Sequence, residues 1–231
     1  MSSEIKVIIP AYNEEASIAL VVHDIPDHVS EVIVVNNNSS DSTEVEARNA
    51  GATVLLEKQM GYGFACLKGL SYISEQIQKP DIVVFLDGDY SDYPEELDKI
   101  VAPILNENID FVVGARSKIF REKGSMTYPQ VFGNWLSTTL MNILYGSNFT
   151  DLGPFRAIKY NVLNELNMED STYGWTVEMQ LKIIKKKFTY TEIPVKYRNR
   201  IGTSKVSGTV KGVIFAGIKI LSWIFKYSFK K

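Results

Sequence analysis

Short runs of β-branched and aromatic residues alternate with amphipathic segments through the first part of the chain. The runs are typical of strands buried on both faces of a parallel sheet, and they occupy residues 5–10, 32–35, 53–56 and 82–86. Helical patterns follow them, the first starting at Asn13 and the others covering residues 42–50 and 64–78. This alternation predicts an α/β fold: a Rossmann-like, doubly wound, mostly parallel sheet with helices on both faces.

The second part of the chain has a less regular pattern. It predicts a helix from Pro94 through residue 105, a strand over 111–116, a mobile charged loop over 117–130 and a helix over 131–144. A turn into a strand over 151–158, a helix over 173–187 and a last strand over 192–198 follow. No repeat or linker interrupts the pattern, so we expect one domain over residues 1–208 and an amphipathic helix over 209–231.

Polar residues and glycines come directly after several of the predicted strands. Right-handed crossovers between parallel strands place the following loops at the same edge of the sheet, where ligands of such sheets bind. We therefore expect one cleft to contain Tyr12, Asn37, Asp41, Gly63, Asp87 and Asp89.

The segment Asp87-Gly88-Asp89 ends the fourth strand with two carboxylates, one residue apart. Such a pair can share one hard divalent cation with a diphosphate, because Mg²⁺ and Mn²⁺ leave several positions to water and phosphate. The alternative is an ordinary polar turn, since Asp and Gly are common in turns.

Composition narrows the possible functions. The chain has 231 residues, of which 45% are hydrophobic, and its net charge of −2 gives no reason to expect nucleic acid as a partner. Cys66 is the only cysteine, which fits a reducing compartment, and the two histidines have no further soft ligands for zinc. Without a signal sequence or a long uncharged apolar stretch, the protein is expected in the cytoplasm, or peripherally at the inner face of the membrane.

Short motifs occur in order along the chain, at residues 9–15, 36–43, 61–69, 87–89, 114–116, 153–156 and 200–205. Together they resemble the family-2 glycosyltransferases of the GT-A fold. Within this family the chain is most similar to the branch of dolichyl-phosphate mannose synthase and the polyprenyl-phosphate glucosyltransferases. The resemblance runs from residue 5 to about residue 205.

The resemblance implies a nucleotide-diphospho-sugar as donor and assigns residues to its nucleoside. Pro10, Tyr12 and Glu14 would line the pocket for the base and ribose. Asn37 stands where the family usually has an aspartate that contacts the base, and Asp41 matches the second acidic position of that loop.

The resemblance also implies a metal site and a diphosphate site. Asp87 would hold the nucleotide side, and Asp89 would bind the Mg²⁺ or Mn²⁺ ion that bridges the diphosphate, so both acids are candidate metal ligands. Ser91 occupies a further position that can reach the metal in the family, as a weaker ligand. Gly61 and Gly63 would allow a close approach of the backbone, with a flexible turn as the alternative.

Charge develops on the diphosphate as the sugar leaves, and Arg116 and Arg156 are candidates to stabilise it, although either could be an ordinary surface arginine. A sugar hydroxyl as acceptor would need a general base. For this role Glu178 is the first candidate, with Asp151 and Asp170 behind it.

A lipid phosphate as acceptor would need no base, because its oxygen is already anionic. A basic cluster could instead bind that phosphate, or could be a solvated surface loop. This cluster consists of Arg198, Arg200, Ser204 and Lys205.

Residues 210–229 form an apolar helix with a narrow stripe of lysines. Lys211, Lys219 and Lys226 fall within about 80° of each other on a helical wheel. The pattern suits a helix lying in a membrane surface, and equally one docked on the domain or on a partner subunit, so an oligomer is possible.

We predict an inverting, metal-dependent glycosyltransferase that uses UDP-glucose or GDP-mannose and transfers to a polyprenyl phosphate. A soluble hydroxyl acceptor is the alternative. An NAD-dependent oxidoreductase is a rival class, because Gly61, Gly63 and Cys66 follow a strand at nearly the spacing of a dinucleotide fingerprint. A third class is a non-catalytic module that binds nucleotide sugars.

Overall fold

The computed structural model describes residues 3–204 and 210–229. Its strands are β1 (Ile5–Ala11), β2 (Glu31–Asn36), β3 (Thr53–Leu56), β4 (Ile82–Phe85), β5 (Phe111–Ala115), β6 (Arg156–Lys159) and β7 (Tyr190–Pro194). Its helices are α1 (Ile18–His23), α2 (Thr43–Asn49), α3 (Tyr62–Glu75), α4 (Leu97–Glu107), α5 (Tyr128–Tyr145), α6 (Tyr160–Leu166), α7 (Trp175–Lys185) and α8 (Val210–Phe229). A 3₁₀ turn over Pro94–Glu96 precedes α4.

All of these strands form one sheet in the order β3-β2-β1-β4-β6-β5-β7. β1 pairs in parallel with β2 and β4, and Val7 lies beside Val32 on one side and Val84 on the other. Val7 and Val84 are completely buried, so both faces of the sheet must be covered. Helices α1, α2 and α4 pack on one face, and α3, α5, α6, α7 and α8 on the other. The predicted α/β architecture is confirmed.

One strand in the described residues runs against the others. β6 lies between β4 and β5 and is antiparallel to both, whereas β5 and β7 are parallel. Arg156 at the start of β6 therefore pairs with Phe85 at the end of β4. Six strands end at one edge of the sheet, and β6 begins there.

Several boundaries differ from the prediction. α1 begins later than Asn13, because Asn13 adopts a left-handed conformation with a φ of 53°. α5 begins inside the segment that was expected to be a mobile loop, where Thr127 and Gln130 form a capping box. β7 ends at Pro194, and α6 was not predicted from the sequence.

Helix α8 docks on its own domain. It packs against α5 and α7 and buries Trp223. Two lysines of the predicted stripe face acids of the domain: Lys219 lies 3.1 Å from Asp170, and Lys226 lies 4.0 Å from Glu169. In the structure α8 is therefore docked on its own domain, which was one of the predicted alternatives.

The same helix keeps an exposed apolar side, formed by Ile214, Phe215, Ile218 and Phe225. The side chain of Lys211 lies outside the part of the chain that the structure describes. None of the helices in that part has the length and apolar character needed to cross a membrane.

Candidate active site

A cavity of about 420 Å³ opens where β1, β2 and β4 end. We call it the first cavity. It contains most of the residues that were predicted to bind the donor or the metal. Its lining consists of Pro10, Ala11, Tyr12, Glu14, Asn37, Met60, Gly61, Tyr62, Asp87, Gly88, Asp89, Thr172, Tyr173, Arg200 and Ser204. Arg200 and Ser204, which are far along the chain from β1, β2 and β4, thus line the same cavity as the residues that follow these strands.

Asp89 is buried just after β4, and both of its oxygens have partners. The backbone N–H of Ser91 donates to Oδ1 at 2.9 Å, and the Ser91 hydroxyl donates to the same oxygen. Arg200 forms an ion pair with Oδ2 at 2.9 Å and a longer one, of 3.3 Å, with Glu14. Ser91 therefore orients Asp89, and Arg200 places a positive charge beside it in the cavity.

Two neighbouring carboxylates are less well compensated. Asp87 Oδ1 and both carboxylate oxygens of Asp92 are buried without a hydrogen bond to any group that the structure describes. Burial, with the charge of Asp89, raises the pKa of Asp87 to about 7. Burial, with the charges of Asp87 and Asp89, raises the pKa of Asp92 well above its ordinary value. The negative charges of Asp87, Asp89 and Asp92 are therefore not fully balanced by the neighbouring cationic side chains.

These acids fit a divalent cation that is shared with a ligand. Among the described residues, no group of three or more His, Cys, Asp or Glu side chains is arranged to hold a metal alone. Mg²⁺ and Mn²⁺, however, bind through one or two carboxylates and take their other oxygens from water and phosphate. Asp87 and Asp89 line the cavity, and a cation there would satisfy the unpaired oxygen of Asp87.

Asn37 and Asp41 occupy different positions relative to the first cavity. Asn37 lines it, while its side chain donates to the Gln59 carbonyl at 2.6 Å and accepts the Gly61 N–H at 2.8 Å. Asp41 is absent from the lining and accepts the N–H and the hydroxyl of Thr43. The structure thus does not bring Asp41 into contact with this cavity.

Gly61 and Gly63 do permit a close backbone approach, and the partner is another part of the chain. A Cβ atom on Gly63 would lie 2.0 Å from the carbonyl oxygen of Asp170, and one on Gly61 would lie 2.3 Å from that of Ser171. Gly61 lines the first cavity and Gly63 does not. The start of α3 is therefore pressed against residues 169–174, which we call the 169–174 loop.

A second cavity, of about 490 Å³, lies at the end of β5. Its lining includes three basic residues: Arg116, Lys118 and Arg121. It also includes four large apolar residues: Met126, Val131, Trp135 and Phe149. Arg116 is held by Asp151, whose two oxygens accept from its guanidinium at 2.6 and 2.8 Å. Lys118 and Arg121 are therefore the cations of this cavity that Asp151 does not bind.

Arg156 lies in the lining of neither cavity. It is completely buried, and its guanidinium donates to the carbonyl oxygens of Gly153 and Thr176, at 3.0 Å in each case. Burial lowers the pKa of Arg156 to about 10. In this position the side chain holds the turn before β6 and does not face a bound diphosphate.

Glu178, the first candidate for a general base, is also completely buried and absent from both cavities. Its oxygens accept the backbone N–H groups of Glu169 and Asp170, each at 2.8 Å. Lys182 forms an ion pair with it at 2.7 Å. The carboxylate is thus fully used in holding the 169–174 loop.

The residues predicted to bind the acceptor are divided in the structure. Arg200 and Ser204 line the first cavity. Arg198 stacks 3.4 Å above the ring of Tyr90 and donates to the Tyr90 carbonyl at 2.7 Å. Lys205 lies outside the described residues.

Some cavity residues were missed from the sequence. Met60 and Tyr62 flank Gly61, so the glycine motif carried a signal for them. No local pattern marks Thr172 or Tyr173, because their loop is brought to the cavity by contacts with elements distant in sequence, such as the start of α3.

A model of the family described as Glycosyl transferase family 2 matches residues 6–166, which contain β2 through β6, all of β1 except Ile5, and both candidate metal ligands. The chain belongs to this family. The family 2 assignment confirms the predicted enzyme class and excludes the oxidoreductase alternative.

This family 2 glycosyltransferase has relatives named for polyprenyl-phosphate substrates. It is 29% identical to dolichyl-phosphate hexose transferase from Haloferax volcanii over 210 residues, covering 88% of this chain and 86% of the relative. It is 27% identical to undecaprenyl-phosphate mannosyltransferase from Micrococcus luteus over 229 residues, covering 94% and 92%. The predicted branch of the family is thereby confirmed.

Its fold is similar to that of glucosyl-3-phosphoglycerate synthase from Mycobacterium tuberculosis, in a crystal structure with Mn²⁺, UDP and phosphoglyceric acid. The TM-score is 0.78 at 22% identity, and the match covers 100% of this chain and 80% of the other. This likeness confirms the GT-A arrangement of the sheet.

Proposed function

We propose that this glycosyltransferase moves a hexose, with inversion, from UDP-glucose or GDP-mannose to a polyprenyl phosphate, using Mg²⁺ or Mn²⁺. One observation carries the proposal: Asp87 and Asp89 line the first cavity with more negative charge than Arg200 compensates. A divalent cation balances such carboxylates and a nucleotide diphosphate at the same time.

The first cavity provides the groups that a nucleotide sugar requires. We assign the base and ribose to the wall with Pro10, Tyr12 and Asn37, and the metal to Asp87 and Asp89. The bound cation would stabilise the negative charge on the departing diphosphate.

Arg200 supports the same step. Its ion pair with Asp89 keeps the guanidinium in the cavity, where it can donate to an incoming diphosphate. The planar, permanently charged guanidinium suits phosphate oxygens better than a lysine would.

The second cavity suits the acceptor. Lys118 and Arg121 offer positive charge for a phosphate, while Val131 and Trp135 of α5 offer apolar surface for the adjoining isoprene units. A phosphate oxygen is already anionic and needs no general base, which agrees with the buried position of Glu178. The names of the two relatives support this class of acceptor.

A membrane surface is the expected partner, because polyprenyl phosphates reside in bilayers. The exposed apolar side of α8, with Ile214 and Ile218 at its centre, supports attachment to such a surface. We therefore place the enzyme peripherally at the inner face of the membrane.

The metal role is tested by thermal unfolding with UDP or GDP, each with and without Mn²⁺. A ligand at about 100 times its Kd stabilises by roughly 2.7 kcal/mol, so the midpoint should rise by several degrees only when nucleotide and metal are both present. Asp89→Asn preserves size and should abolish the rise. Asp98→Asn, on an exposed side chain of α4, should preserve it. A normal response of Asp89→Asn would contradict the metal role.

The acceptor is tested with whichever nucleotide sugar binds. Vesicles containing undecaprenyl phosphate are compared with 3-phosphoglycerate as a soluble hydroxyl acceptor. Transfer to the lipid supports the proposal, and transfer to the soluble compound alone would favour the other acceptor class. Donor binding without transfer to either would point to a binding module.

A further inference from the structure

The 169–174 loop joins α6 to α7 and contributes Thr172 and Tyr173 to the wall of the first cavity. It contains no helix or strand of its own. Its position therefore depends on hydrogen bonds from its neighbours, which come from three helices.

Two of these helices belong to the core of the domain. Glu178 on α7 accepts the backbone N–H groups of Glu169 and Asp170. The first turn of α3 also bonds to the loop, with Phe64 N–H donating to the Ser171 carbonyl at 2.9 Å. These contacts fix both sides of the loop backbone.

The third helix is α8, at the end of the described chain. The indole N–H of Trp223 donates to Asp170 Oδ2 at 2.5 Å, and Lys219 pairs with the same oxygen at 3.1 Å. The other oxygen, Oδ1, accepts the backbone N–H groups of Thr172 and Gly174 at 2.7 and 2.9 Å. One carboxylate thus connects α8 directly to the backbone of the cavity wall.

The contact is close as well as polar. A Cβ atom on Gly174 would lie 2.4 Å from the indole of Trp223 and 2.6 Å from Asp170 Oδ2. The side chain of Asp170 is completely buried. If α8 left its place, this buried carboxylate would lose the cation and the indole N–H that compensate it, and the loop would have to rearrange.

We propose that Trp223 and Lys219 of α8 are positioning residues for the nucleotide-sugar site, acting through Asp170 on the loop that carries Thr172 and Tyr173. The inference rests on the proposed function, since it assigns the first cavity to the donor. α8 thus supports the donor site without contacting the donor itself, and this role is separate from any role at a membrane.

The test compares substitutions that remove the polar contact with one that only loosens the packing. Trp223→Phe keeps an aromatic ring without the N–H, and Lys219→Met keeps the chain length without the charge. Ile224→Val is the matched control, because Ile224 is a completely buried neighbour on the same helix and makes no side-chain hydrogen bond to the loop. Lys68→Met, on an exposed lysine of α3, controls for the loss of a charge.

The Kd of UDP and of GDP is measured with Mn²⁺ for each full-length variant, alongside its unfolding midpoint. We expect the affinity of the nucleotide that binds to fall about fivefold to tenfold in Trp223→Phe and Lys219→Met and to be unchanged in both controls. An equal loss in Ile224→Val would make α8 a general packing element and overturn the inference.

Failure of the inference and of the proposed function can be distinguished. If wild-type protein binds neither nucleotide, the proposed function is overturned and the inference with it. If wild-type protein binds but both polar variants bind equally well, the inference alone is overturned. Because coupling is reciprocal, nucleotide with Mn²⁺ should also slow amide hydrogen exchange in α8 of the wild type, and this protection should be lost in Trp223→Phe.

Discussion

Glu31 accepts hydrogen bonds from four side chains at the edge of the sheet opposite the first cavity. The donors, at 2.8–2.9 Å, are Lys6, Thr53, Tyr72 and Gln76. Partial burial alone would raise the pKa of Glu31, but these donors outweigh it and lower the pKa from 4.5 to about 2. The ionised side chain therefore stabilises the folded state above about pH 4.5, and this contribution is lost as the pH falls towards 2.

Glu31→Gln should lower the free energy of unfolding at pH 7 by roughly 1–2 kcal/mol, after allowance for partial exposure. It should also flatten the decline in stability between about pH 4.5 and pH 2. Urea unfolding at a series of pH values measures both effects. Glu107→Gln, at the exposed end of α4, should leave the profile unchanged, and an unaltered acid profile in Glu31→Gln would be inconsistent with the pKa shift.

Single residues differ in how far sequence predicts their surroundings. Asp87 and Asp89 follow a buried strand, and strand ends in parallel sheets have a known location, so their place at the first cavity could be predicted. Glu178 and Arg156 were expected near the chemistry, yet both are buried against backbone groups. Their backbone partners lie within about twenty residues along the chain, across turns whose conformation no local sequence pattern reveals.

The start of α3 can pack against the 169–174 loop only because Gly63 has no side chain. A Cβ atom on Gly63 would lie 2.0 Å from the backbone carbonyl oxygen of Asp170, which cannot move without the 169–174 loop. Gly133 in α5 is the opposite case, because a Cβ atom there would meet nothing within 4 Å.

Gly63→Ala should therefore destabilise the protein by about 1–3 kcal/mol, as overpacking does, and should weaken nucleotide binding through the displaced loop. Gly133→Ala should instead stabilise it by up to about 1 kcal/mol, because alanine favours the helix. Thermal unfolding of the two variants measures the difference. If both substitutions stabilised the protein, the 169–174 loop would be able to move away from residue 63 without a loss of stability, which would contradict the prediction.

The elements that sequence predicted best are the parallel strands, because each is a short apolar run buried on both faces. The direction of β6 was not predictable, since strand pairing between residues far apart leaves no local mark. The start of α5 was missed for a different reason. Its capping box of Thr127 and Gln130 lies in a charged segment whose composition favours a loop.

Exposed large apolar side chains concentrate on two helices that pack against each other. On α8 they are Ile214, Phe215, Ile218 and Phe225, and on α5 they are Tyr128, Phe132, Trp135, Ile143 and Leu144. Scattered apolar residues are ordinary on a surface, but a concentration of this kind indicates an interaction site.

We expect the protein to sediment with vesicles of phosphatidylglycerol and phosphatidylcholine. Ile218→Asn should reduce the bound fraction, with a partition coefficient lower by about tenfold, because it removes apolar area from the contact. Ile77→Asn changes an equally apolar, fully exposed residue beyond the end of α3 and should leave binding unchanged. Equal effects of both substitutions, or no sedimentation of the wild type, would argue against a lipid surface on α8.

The reversed direction of β6 has a consequence for how this architecture can diversify. The chain leaves the sheet after Ala115 and re-enters it at Arg156 on the same rim, and the two strands are joined there by the Gly114 N–H, which donates to the Phe155 carbonyl at 2.8 Å. The intervening excursion carries α5 and most of the lining of the second cavity, and it contains no strand of the sheet. We therefore expect the side chains of α5 that line the second cavity to tolerate exchange while the carboxylates after β4 stay where they are, whereas Met141 and Leu152 of the same excursion are fixed in the core.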